Sequence, residues 1–428
     1  MEKPIKVFKF GGASVKETKA VLNVIKILSQ YREYPLLVIV SAMGKTTNKL
    51  EGIFESFIQN DQSGFTTKTE ELEEFHYKII HELFEGESLA NIKSELLSDF
   101  KKIRGFYGNK IENNTSFLYD QLIPFGEMLS TKIVHHCLMN NKIDSEWCDA
   151  RLLIRTDNTH QKANVEWAET TKRISEYCSD IFKNKSVIVT QGFIGSNEKD
   201  HTTTLGREGS DFSASIFAYA LDADEVIIWK DVPGMLNADP KFFENTVKLD
   251  QISFKEAIEL SYYGASVIHP KTIKPLQNKN IPLFVKSFIK PTEQGTTIQK
   301  ATHNDAAVPS FIFKKQQVLF SIMPKDFSFL IEKNLSDIFL KLAKVNAHIN
   351  IMQNSALSFS FLMDENKRRI DEIKGVLEDS YIVKYNTNLE LVTIRHYDQK
   401  TIDLVVKGKE ILMEQRTRTT ARFVLSSL

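Results

Sequence analysis

The sequence predicts an α/β protein, in which a mostly parallel sheet is covered by helices on both sides and is followed by a ferredoxin-like α+β region. Up to about residue 300, short apolar runs alternate with helical stretches, which favours a three-layer αβα arrangement. Beyond residue 300 the order changes to βαββαβ, which is the ferredoxin-like order. A length of 428 residues also suggests two or three domains.

The strands predicted in the first region are continuous apolar runs, as in strands that are buried on both faces. Amphipathic stretches separate them, the first with Val21, Val24 and Leu28 on one face. We predict strands at 5–10, 35–42, 186–195 and 225–232, and helices at 15–31, 127–140, 165–182, 210–220 and 253–263.

Residues 60–115 are polar and charged, and they show helical spacing without a strand signal. We interpret this segment as a helical excursion from the sheet, with its charges on a solvated face.

The tail begins after the polar stretch "IKPTEQGTTIQKATHND", which contains Pro291 and Gly295 and is typical of a boundary. We therefore predict one domain over 1–300 and a second region over 301–428. After the first βαββαβ unit, a second strand–helix–strand–strand series follows, and it ends before a last helix and strand. The second repeat is thus expected to be shortened.

Composition excludes several functional classes. Lys plus Arg and Asp plus Glu both total 55, so no net charge favours nucleic acid or an anionic membrane as a partner. The three cysteines follow no disulfide or metal-ligand spacing, and the N-terminus has charges where a signal peptide has its apolar core. We expect a cytoplasmic protein without a membrane partner.

The stretch "VFKFGGASV" ends a predicted strand with Lys9 and then with Gly11 and Gly12. Paired glycines at the carboxyl end of a strand allow backbone N–H groups to approach phosphate closely, and a lysine adds positive charge. A Gly-Gly turn also occurs for geometric reasons alone, so this motif leaves both interpretations open.

Three further stretches carry polar groups at predicted strand or helix ends. In "TTLGREGSDFSA", Arg207 suits a carboxylate, whereas Ser210 and Asp211 suit either a cap or a site. In "PFGEMLST", Glu127 suits a substrate ammonium or the helix dipole. In "SAMGKTTN", the hydroxyls of Ser41 and Thr47 suit an anionic substrate or a turn.

Together these motifs resemble the aspartokinase family, which transfers a phosphoryl group from ATP to the side-chain carboxylate of L-aspartate. "KFGGASV" is similar to the family's KFGGTSV, "FGEMLST" to FGExLS, and "GREGSDFSA" to GRGGSDxTA. "DVPGMLNADPK" is similar to DVxGxxxxDPR, and "YGASVIHPKT" to FGAxVLHPxT. The resemblance covers residues 5–300, and the tail resembles the family's paired ACT regulatory domains.

The resemblance implies a catalytic role for Lys9, at the transferring γ-phosphoryl, and for Asp211, which would organise the site together with Ser210. It also implies that Glu127 holds the α-ammonium of aspartate and that Arg207 holds its α-carboxylate. The substrate-binding residues would be Ser41, Thr47, Glu127, Arg207 and Ser210. The nucleotide-binding residues would be Lys9, Gly11, Gly12, Lys230, Asp231, Leu236, Lys241, Ser266 and Val267.

The same resemblance implies Mg-ATP as the cofactor, with Mg²⁺ held through the phosphates and without a protein metal site. It implies a homodimer, an amino-acid effector at the ACT region, and a place at the first step toward lysine, threonine and methionine. The chain ends at Leu428 without a dinucleotide-binding segment, so no homoserine dehydrogenase module is expected.

Four positions depart from the family pattern. Glu208 replaces a glycine, Lys230 replaces a threonine, and Ser266 stands where many members have lysine. Our hypothesis is that Lys230 or Lys271 supplies the cation that Ser266 lacks. Asn350 replaces an aspartate that helps bind lysine in lysine-inhibited relatives, so the effector stays open. Two alternative functions are an amino-acid kinase with another substrate and an effector-binding sensor with little catalysis.

Overall fold

The structure is a computed structural model that describes residues 3–108, 114–265, 268–300, 305–326 and 328–427. The described chain divides into two compact units, which are treated separately below. Unit 1 comprises Met1–Met235, Lys248–Ile258 and Val267–Asp305, and unit 2 comprises Leu236–Val247, Glu259–Ser266 and Ala306–Leu428.

The strands of unit 1 are β1 (Lys6–Phe10), β2 (Leu36–Val40), β3 (Ser145–Cys148), β4 (Val187–Gln191), β5 (Ile194–Ser196), β6 (Thr202–Thr204), β7 (Glu225–Lys230), β8 (Gln251–Ser253), β9 (Leu283–Ser287) and β10 (Thr296–Gln299). The helices up to β7 are α1 (Thr18–Ser29), α2 (Thr46–Ile58), α3 (Gln62–Leu83), α4 (Gly86–Phe106), α5 (Thr115–Leu122), α6 (Phe125–Asn140), α7 (Ala150–Leu153), α8 (Trp167–Ile181) and α9 (Gly209–Ala220). Helices α10 (Phe254–Tyr263) and α11 (Pro270–Lys279) follow β8.

Eight of these strands form a sheet in the order β3-β4-β2-β1-β7-β9-β10-β8, and β5 and β6 form a separate two-stranded sheet. Neighbouring strands of the eight-stranded sheet are parallel except for β9 and β10, which confirms the mostly parallel sheet. Every residue of β2 and β4 is buried, as their continuous apolar runs predict. Because β1, β2, β4 and β7 run parallel, their carboxyl ends meet at one edge of the sheet.

Several strands escape prediction from the sequence. Strands β3, β8 and β10 have only three or four residues, and β9 alternates buried and partly exposed residues. The single strand predicted over 186–195 is wrong, because the chain leaves the sheet after Gln191 and begins β5 at Ile194. Gly192 lies at this break, where an added Cβ would come within 2.5 Å of the Cβ of Ser210.

The 60–115 segment is helical where it is described, forming α3 and α4. Apolar side chains of both helices, including Leu72, Ile80 and Phe100, belong to the same hydrophobic core as β1 and β2. Most charged residues of the two helices are exposed or partly exposed, but Asp99 is buried and pairs with Lys132 of α6 at 2.6 Å. The excursion is therefore part of the core of unit 1.

Unit 2 contains strands β11 (Ser310–Pro324), β12 (Ile351–Asn354), β13 (Phe359–Asp364), β14 (Tyr381–Arg395), β15 (Lys409–Arg416) and β16 (Thr420–Ser427). Its helices after residue 306 are α12 (Glu332–Lys344), α13 (Lys367–Leu377) and α14 (Gln399–Val406). The strands form an antiparallel sheet in the order β12-β13-β11-β14-β16-β15. The series from β11 to β14 has the predicted βαββαβ order.

The second repeat shares the two central strands of the sheet, β11 and β14, with the first. The second half of β14 continues into α14, β15 and β16, and it pairs with β16 from Glu390 to Arg395. On its other side, residues 391–395 of β14 pair with Ser310–Lys314, the first part of β11. A register shift between Lys314 and Gln317 separates this part from the rest of β11. The first part of β11 thus lies beside the strands of the second repeat, although it comes before the first repeat in the sequence.

None of the helices in the described part of the chain combines the length and the apolar character needed to cross a membrane.

Gly12 allows the loop after β1 to pack against the loop after β2. A Cβ on Gly12 would lie 2.6 Å from the carbonyl oxygen of Ala42 and 2.9 Å from that of Gly44. At Gly11 the nearest atom to such a Cβ would be Lys9 Nζ at 3.7 Å, an ordinary contact. The backbone at Gly11 is extended, with φ −75° and ψ 168°, so alanine fits there.

We therefore expect Gly12→Ala to lower the free energy of unfolding of unit 1 by about 1–3 kcal/mol, the usual cost of overpacking. Gly11→Ala is the matched control and should change it by less than about 0.5 kcal/mol. Trp147, Trp167 and Trp229 all lie in unit 1, so urea unfolding followed by tryptophan fluorescence reports on this unit. Equal stability of the two variants would contradict the packing role of Gly12.

Candidate active site

A cleft of about 500 Å³ opens in unit 1 and is lined by residues from the carboxyl ends of β1, β2 and β7 and from the start of α9. Ligands of open α/β sheets bind at this end of the strands. The lining residues are Lys9, Ser41, Thr47, Tyr119, Glu127, Gln161, Lys162, Phe193, Thr204, Gly206, Arg207, Glu208, Gly209, Ser210, Asp211 and Lys230. The cleft thus gathers residues from all the substrate-binding motifs of the sequence.

Asp211 lies between two lysines in this cleft. Its Oδ1 is 2.5 Å from Lys9 Nζ, and its Oδ2 is 3.4 Å from Lys230 Nζ. Lys9 occupies the central strand β1 and pairs in register with Ile39 of β2 and Ile228 of β7. Because β1 is hydrogen-bonded to β2 on one side and to β7 on the other, the position of the Lys9 backbone is fixed by the sheet.

The charges around Asp211 set its protonation state. Burial alone would raise the pKa of Asp211, but the ammonium groups of Lys9 and Lys230 outweigh burial, and the pKa lies below its ordinary value. Asp211 is therefore ionised at neutral pH. One negative charge between two positive charges leaves a net positive charge, which suits an anionic ligand.

Glu127 presents a different environment in the same cleft. It lies in the first turn of α6 and is 3% exposed. Burial raises its pKa to about 8, although the backbone N–H of Ala42 and the charge of Lys9 act in the opposite direction. Ala42 N donates to Glu127 Oε1 at 3.3 Å, whereas Oε2 has no hydrogen-bond partner among the described residues. A buried acceptor without a partner is a candidate contact for a cationic ligand group.

The remaining predicted substrate residues also line the cleft. Ser41 follows β2 directly, and Thr47 lies in the first turn of α2. Arg207 is exposed at the cleft and pairs with no acidic side chain in the described part of the chain. Ser210 is buried in the first turn of α9, beside Asp211. The structure therefore brings together all five predicted substrate-binding residues and both predicted catalytic residues.

Glu208 has an unusual backbone conformation. With φ 55° and ψ 26° it is left-handed, and it forms the N-cap of α9 without a side-chain cap. For a residue with a side chain, the left-handed conformation is less favourable by about 1 kcal/mol of free energy. This explains why glycine suits the position. Its Oε2 is buried and has no hydrogen-bond partner within the described ranges. This carboxylate therefore stands at the edge of a site whose other charges favour anions.

The predicted nucleotide-binding residues are only partly brought together. Lys9 and Lys230 line the cleft, and Gly11 lies beside Lys9. Asp231 is exposed and is not among the lining residues. Leu236 and Lys241 lie in unit 2, in the segment Leu236–Val247. Ser266 and Val267 fall outside the described residues.

Several cleft residues were not predicted from the sequence. Tyr119 lies in α5, Phe193 follows β4, and Gln161 and Lys162 lie in an irregular loop before α8. No motif marks these residues, since they approach the cleft from chain segments far from the glycine-rich stretches. Thr204 lies inside "TTLGREGSDFSA", so its position in a motif was the only signal available.

Two further observations concern groups that could suggest other chemistry, namely His269 and a metal site. His269 caps α11, where its Nδ1 accepts a hydrogen bond from Lys271 N at 3.1 Å, which favours a structural role. In the described ranges, no group of three or more His, Cys, Asp or Glu side chains is arranged to hold a metal ion.

The chain is similar in sequence to known aspartokinases. The chain is 29% identical to the lysine-sensitive aspartokinase 3 of Escherichia coli (strain K12) over 362 residues, which is 84% of this chain and 78% of that protein. It is 31% identical over 306 residues to the chloroplastic bifunctional aspartokinase/homoserine dehydrogenase 2 of Arabidopsis thaliana, covering 70% of this chain. The chain spans 33% of the length of that relative and 41% of the corresponding Zea mays protein.

Among solved structures, that of E. coli aspartokinase III in complex with aspartate and ADP superposes with a TM-score of 0.83 at 26% identity. The match covers 98% of this chain and 96% of the other. The model of the amino acid kinase family matches residues 4–287, well over half of the chain. The chain therefore belongs to the amino acid kinase family, as its motifs predict.

Proposed function

We propose that the protein is an aspartokinase, which transfers the γ-phosphoryl group of ATP to the side-chain carboxylate of L-aspartate and produces 4-phospho-L-aspartate. One observation carries this proposal. The cleft combines a buried Glu127 carboxyl group, one oxygen of which has no hydrogen-bond partner in the described part of the chain, with the lysine pair around Asp211. An amino acid with an ammonium group and two carboxylates matches this distribution of charge.

The reaction needs positioning and positive charge more than covalent help from the protein. An oxygen of the aspartate side chain attacks the γ-phosphorus, a new O–P bond forms, and the bond from the γ-phosphorus to the bridging oxygen breaks. ADP leaves with that electron pair. Lys9 stabilises the negative charge on the transferring group, and Asp211 holds Lys9 in place through the ion pair at 2.5 Å.

The family resemblance assigns the ends of the substrate, and the charges of the cleft are consistent with that assignment. Glu127 accepts the α-ammonium, Arg207 pairs with the α-carboxylate, and Ser41 and Thr47 lie near the side-chain carboxylate. Gly11 leaves room for phosphate beside Lys9, the backbone N–H groups of Gly11 and Gly12 bind its oxygens, and bound Mg-ATP supplies the Mg²⁺, which neutralises phosphate charge. The nucleotide contacts proposed for Asp231, Leu236, Lys241, Ser266 and Val267 rest on the family resemblance alone.

Support for aspartate as the substrate comes from the fold match to E. coli aspartokinase III, whose structure holds aspartate and ADP. The same enzyme has been solved with lysine and aspartate, at a TM-score of 0.81 and 26% identity. We propose an amino-acid effector for unit 2 and leave its identity to experiment, because Asn350 replaces the expected aspartate. A cytoplasmic location and a role in lysine, threonine and methionine synthesis stay predictions.

The first test is ADP release from Mg-ATP with aspartate, with glutamate or without an amino acid. We expect turnover that depends on aspartate and that Lys9→Ala reduces at least about 100-fold, since Lys9 stabilises charge in the transition state. Lysine and threonine added in parallel test for an effector. Absence of turnover, despite tight binding of an amino acid, would point instead to the sensor.

The same assay tests the cation proposed at Lys230, which lies 3.4 Å from Asp211 Oδ2. Lys230→Met should raise the KM for ATP much more than the KM for aspartate, because the lost charge faces the phosphates. Equal effects on the two constants, or no effect on either, would contradict this role.

Aspartate binding should depend on pH through Glu127. With a pKa of about 8, Glu127 is mostly protonated at pH 6.5, and the ammonium of the substrate requires the ionised form. The KM for aspartate should therefore fall as pH rises from 6.5 towards 8, by up to about tenfold per pH unit. Glu127→Gln should give a high KM that no longer changes with pH. A KM for aspartate that is flat in the wild type would contradict this assignment, and the KM for ATP serves as the control.

We also propose that the protein forms a homodimer through one end of unit 2. Strand β12 lies at an edge of the six-stranded sheet, and large apolar side chains are exposed on β12 and on α12 and its approach. The exposed fractions are 71% for Phe329, 52% for Ile331, 63% for Leu340 and 49% for Met352.

Sedimentation velocity should give the mass of two chains for the wild type and of one chain for Leu340→Glu. The matched control is Leu404→Glu on α14, where the leucine is 56% exposed. Helix α14 contacts β14, β15 and β16, whereas β12 is at the opposite edge of the sheet from β15. A wild type that sediments as a single chain at micromolar concentration, or equal effects of the two variants, would overturn the proposed interface.

A further inference from the structure

Lys162 is a cation of the cleft that no motif identifies. It lines the cleft together with Gln161, and its side chain is exposed. No acidic residue in the described part of the chain forms an ion pair with it. A lysine without a partner at a substrate cleft is available for an anionic group of the ligand.

Hydrogen bonds hold the base of the loop that carries Lys162. Asp157 Oδ1 accepts from Thr159 N at 3.1 Å and from Asn164 N at 3.0 Å. Its Oδ2 accepts from Thr159 Oγ1 at 3.0 Å and from Asn164 Nδ2 at 2.7 Å. One carboxylate therefore ties together the two ends of the segment 157–164.

A second, fully buried carboxylate holds the tip of this loop. Asp120 of α5 is 0% exposed and accepts from His160 Nδ1 at 2.9 Å and from Gln161 N at 3.1 Å. It also accepts from Thr204 Oγ1 at 2.7 Å, so it joins the loop to β6. Ala163 N donates to the carbonyl oxygen of Thr204 at 3.0 Å. The residues on both sides of Lys162 are thus fixed to elements of the cleft wall.

The stem of Lys162 packs beside the residue that precedes Arg207. A Cβ on Gly206 would lie 3.3 Å from Lys162 Cγ and 3.0 Å from the carbonyl oxygen of Gln161. Lys162 and Arg207 therefore begin at the same wall of the cleft. Lys9 and Lys230 instead meet at Asp211.

We propose that Lys162 binds the α-carboxylate of the amino-acid substrate together with Arg207, and that Asp120 is the positioning residue that holds Lys162 in place. This inference rests on the proposed function, because it assumes an amino acid in the cleft. Two cations at one carboxylate favour substrates that carry an α-carboxylate over those that lack it. Lys162 is then a residue that determines specificity.

The test compares aspartate with β-alanine, which has the same ammonium and side-chain carboxylate but no α-carboxylate. Calorimetric titration measures the binding of each compound to the full-length protein in the presence of ADP, so the readout does not depend on turnover. Lys162→Met should weaken aspartate binding about fivefold, in line with a partly exposed ion pair, and leave β-alanine binding unchanged within twofold. Lys183→Met, at a lysine 70% exposed and paired with Asp180, is the matched control.

Asp120→Asn tests the positioning role, since it keeps the shape of the side chain but removes its charge. It should weaken aspartate binding, and Lys162→Met should have a smaller effect in this background than in the wild type. Because Lys162 is exposed, its variant tests the proposal even where Asp120→Asn fails to fold.

Three results would overturn the proposal: unchanged aspartate binding by Lys162→Met, an equal loss for β-alanine, or a wild type that does not bind aspartate. Aspartate binding without ADP release would contradict the proposed kinase activity. The titration would still decide the role of Lys162 in that case. The failure of one proposal is therefore distinguished from the failure of the other.

Discussion

The candidate site depends on the ion pairs that join Asp211 to Lys9 and Lys230. Lys9 stands on the central strand, where a lysine with no partner would be unfavourable because its charge is largely removed from water. Asp211 offsets that cost, and it comes from the first turn of α9, so the pair fixes the helix start against the ends of β1 and β7. The close approach of Gly192 to Ser210 serves the same contact, since it allows α9 to reach the sheet.

Charge is arranged within the cleft so that opposite ends of a ligand are distinguished. The lysine pair lowers the pKa of Asp211, whereas burial raises the pKa of Glu127 to about 8. Two carboxylates in one cleft therefore differ in protonation before any ligand binds. Asp211 keeps its charge beside the lysines, and a cation bound at Glu127 would favour the charged form of that carboxyl group.

Much of the architecture could be predicted from the sequence, because buried parallel strands leave continuous apolar runs such as Leu36–Val40. The resemblance of the motifs to the aspartokinase family also predicted that Lys9, Glu127, Arg207 and Asp211 share one site, and all four line the cleft. Short strands such as β8 and the loop that carries Lys162 could not be predicted in this way. Their positions are fixed by contacts distant in sequence, such as the bonds from Asp120 to Gln161 and Thr204, which no local pattern records.

The rigidity of the cleft walls has a consequence for substrate choice. Glu127 lies in a helix, Lys9 lies in a strand, and both are buried in the core of unit 1, so the distance between their charges is set by the fold. In the proposed reaction, a substrate whose ammonium is bound at Glu127 would have to reach the transferring phosphoryl group with a chain of fixed length. One additional methylene, as in glutamate, would displace the carboxylate or disturb the ammonium contact, and a misfit of this size costs about 1–3 kcal/mol. In the proposed reaction, discrimination between aspartate and glutamate would follow from the spacing of these elements, whereas Lys162 would select for the α-carboxylate that both acids carry.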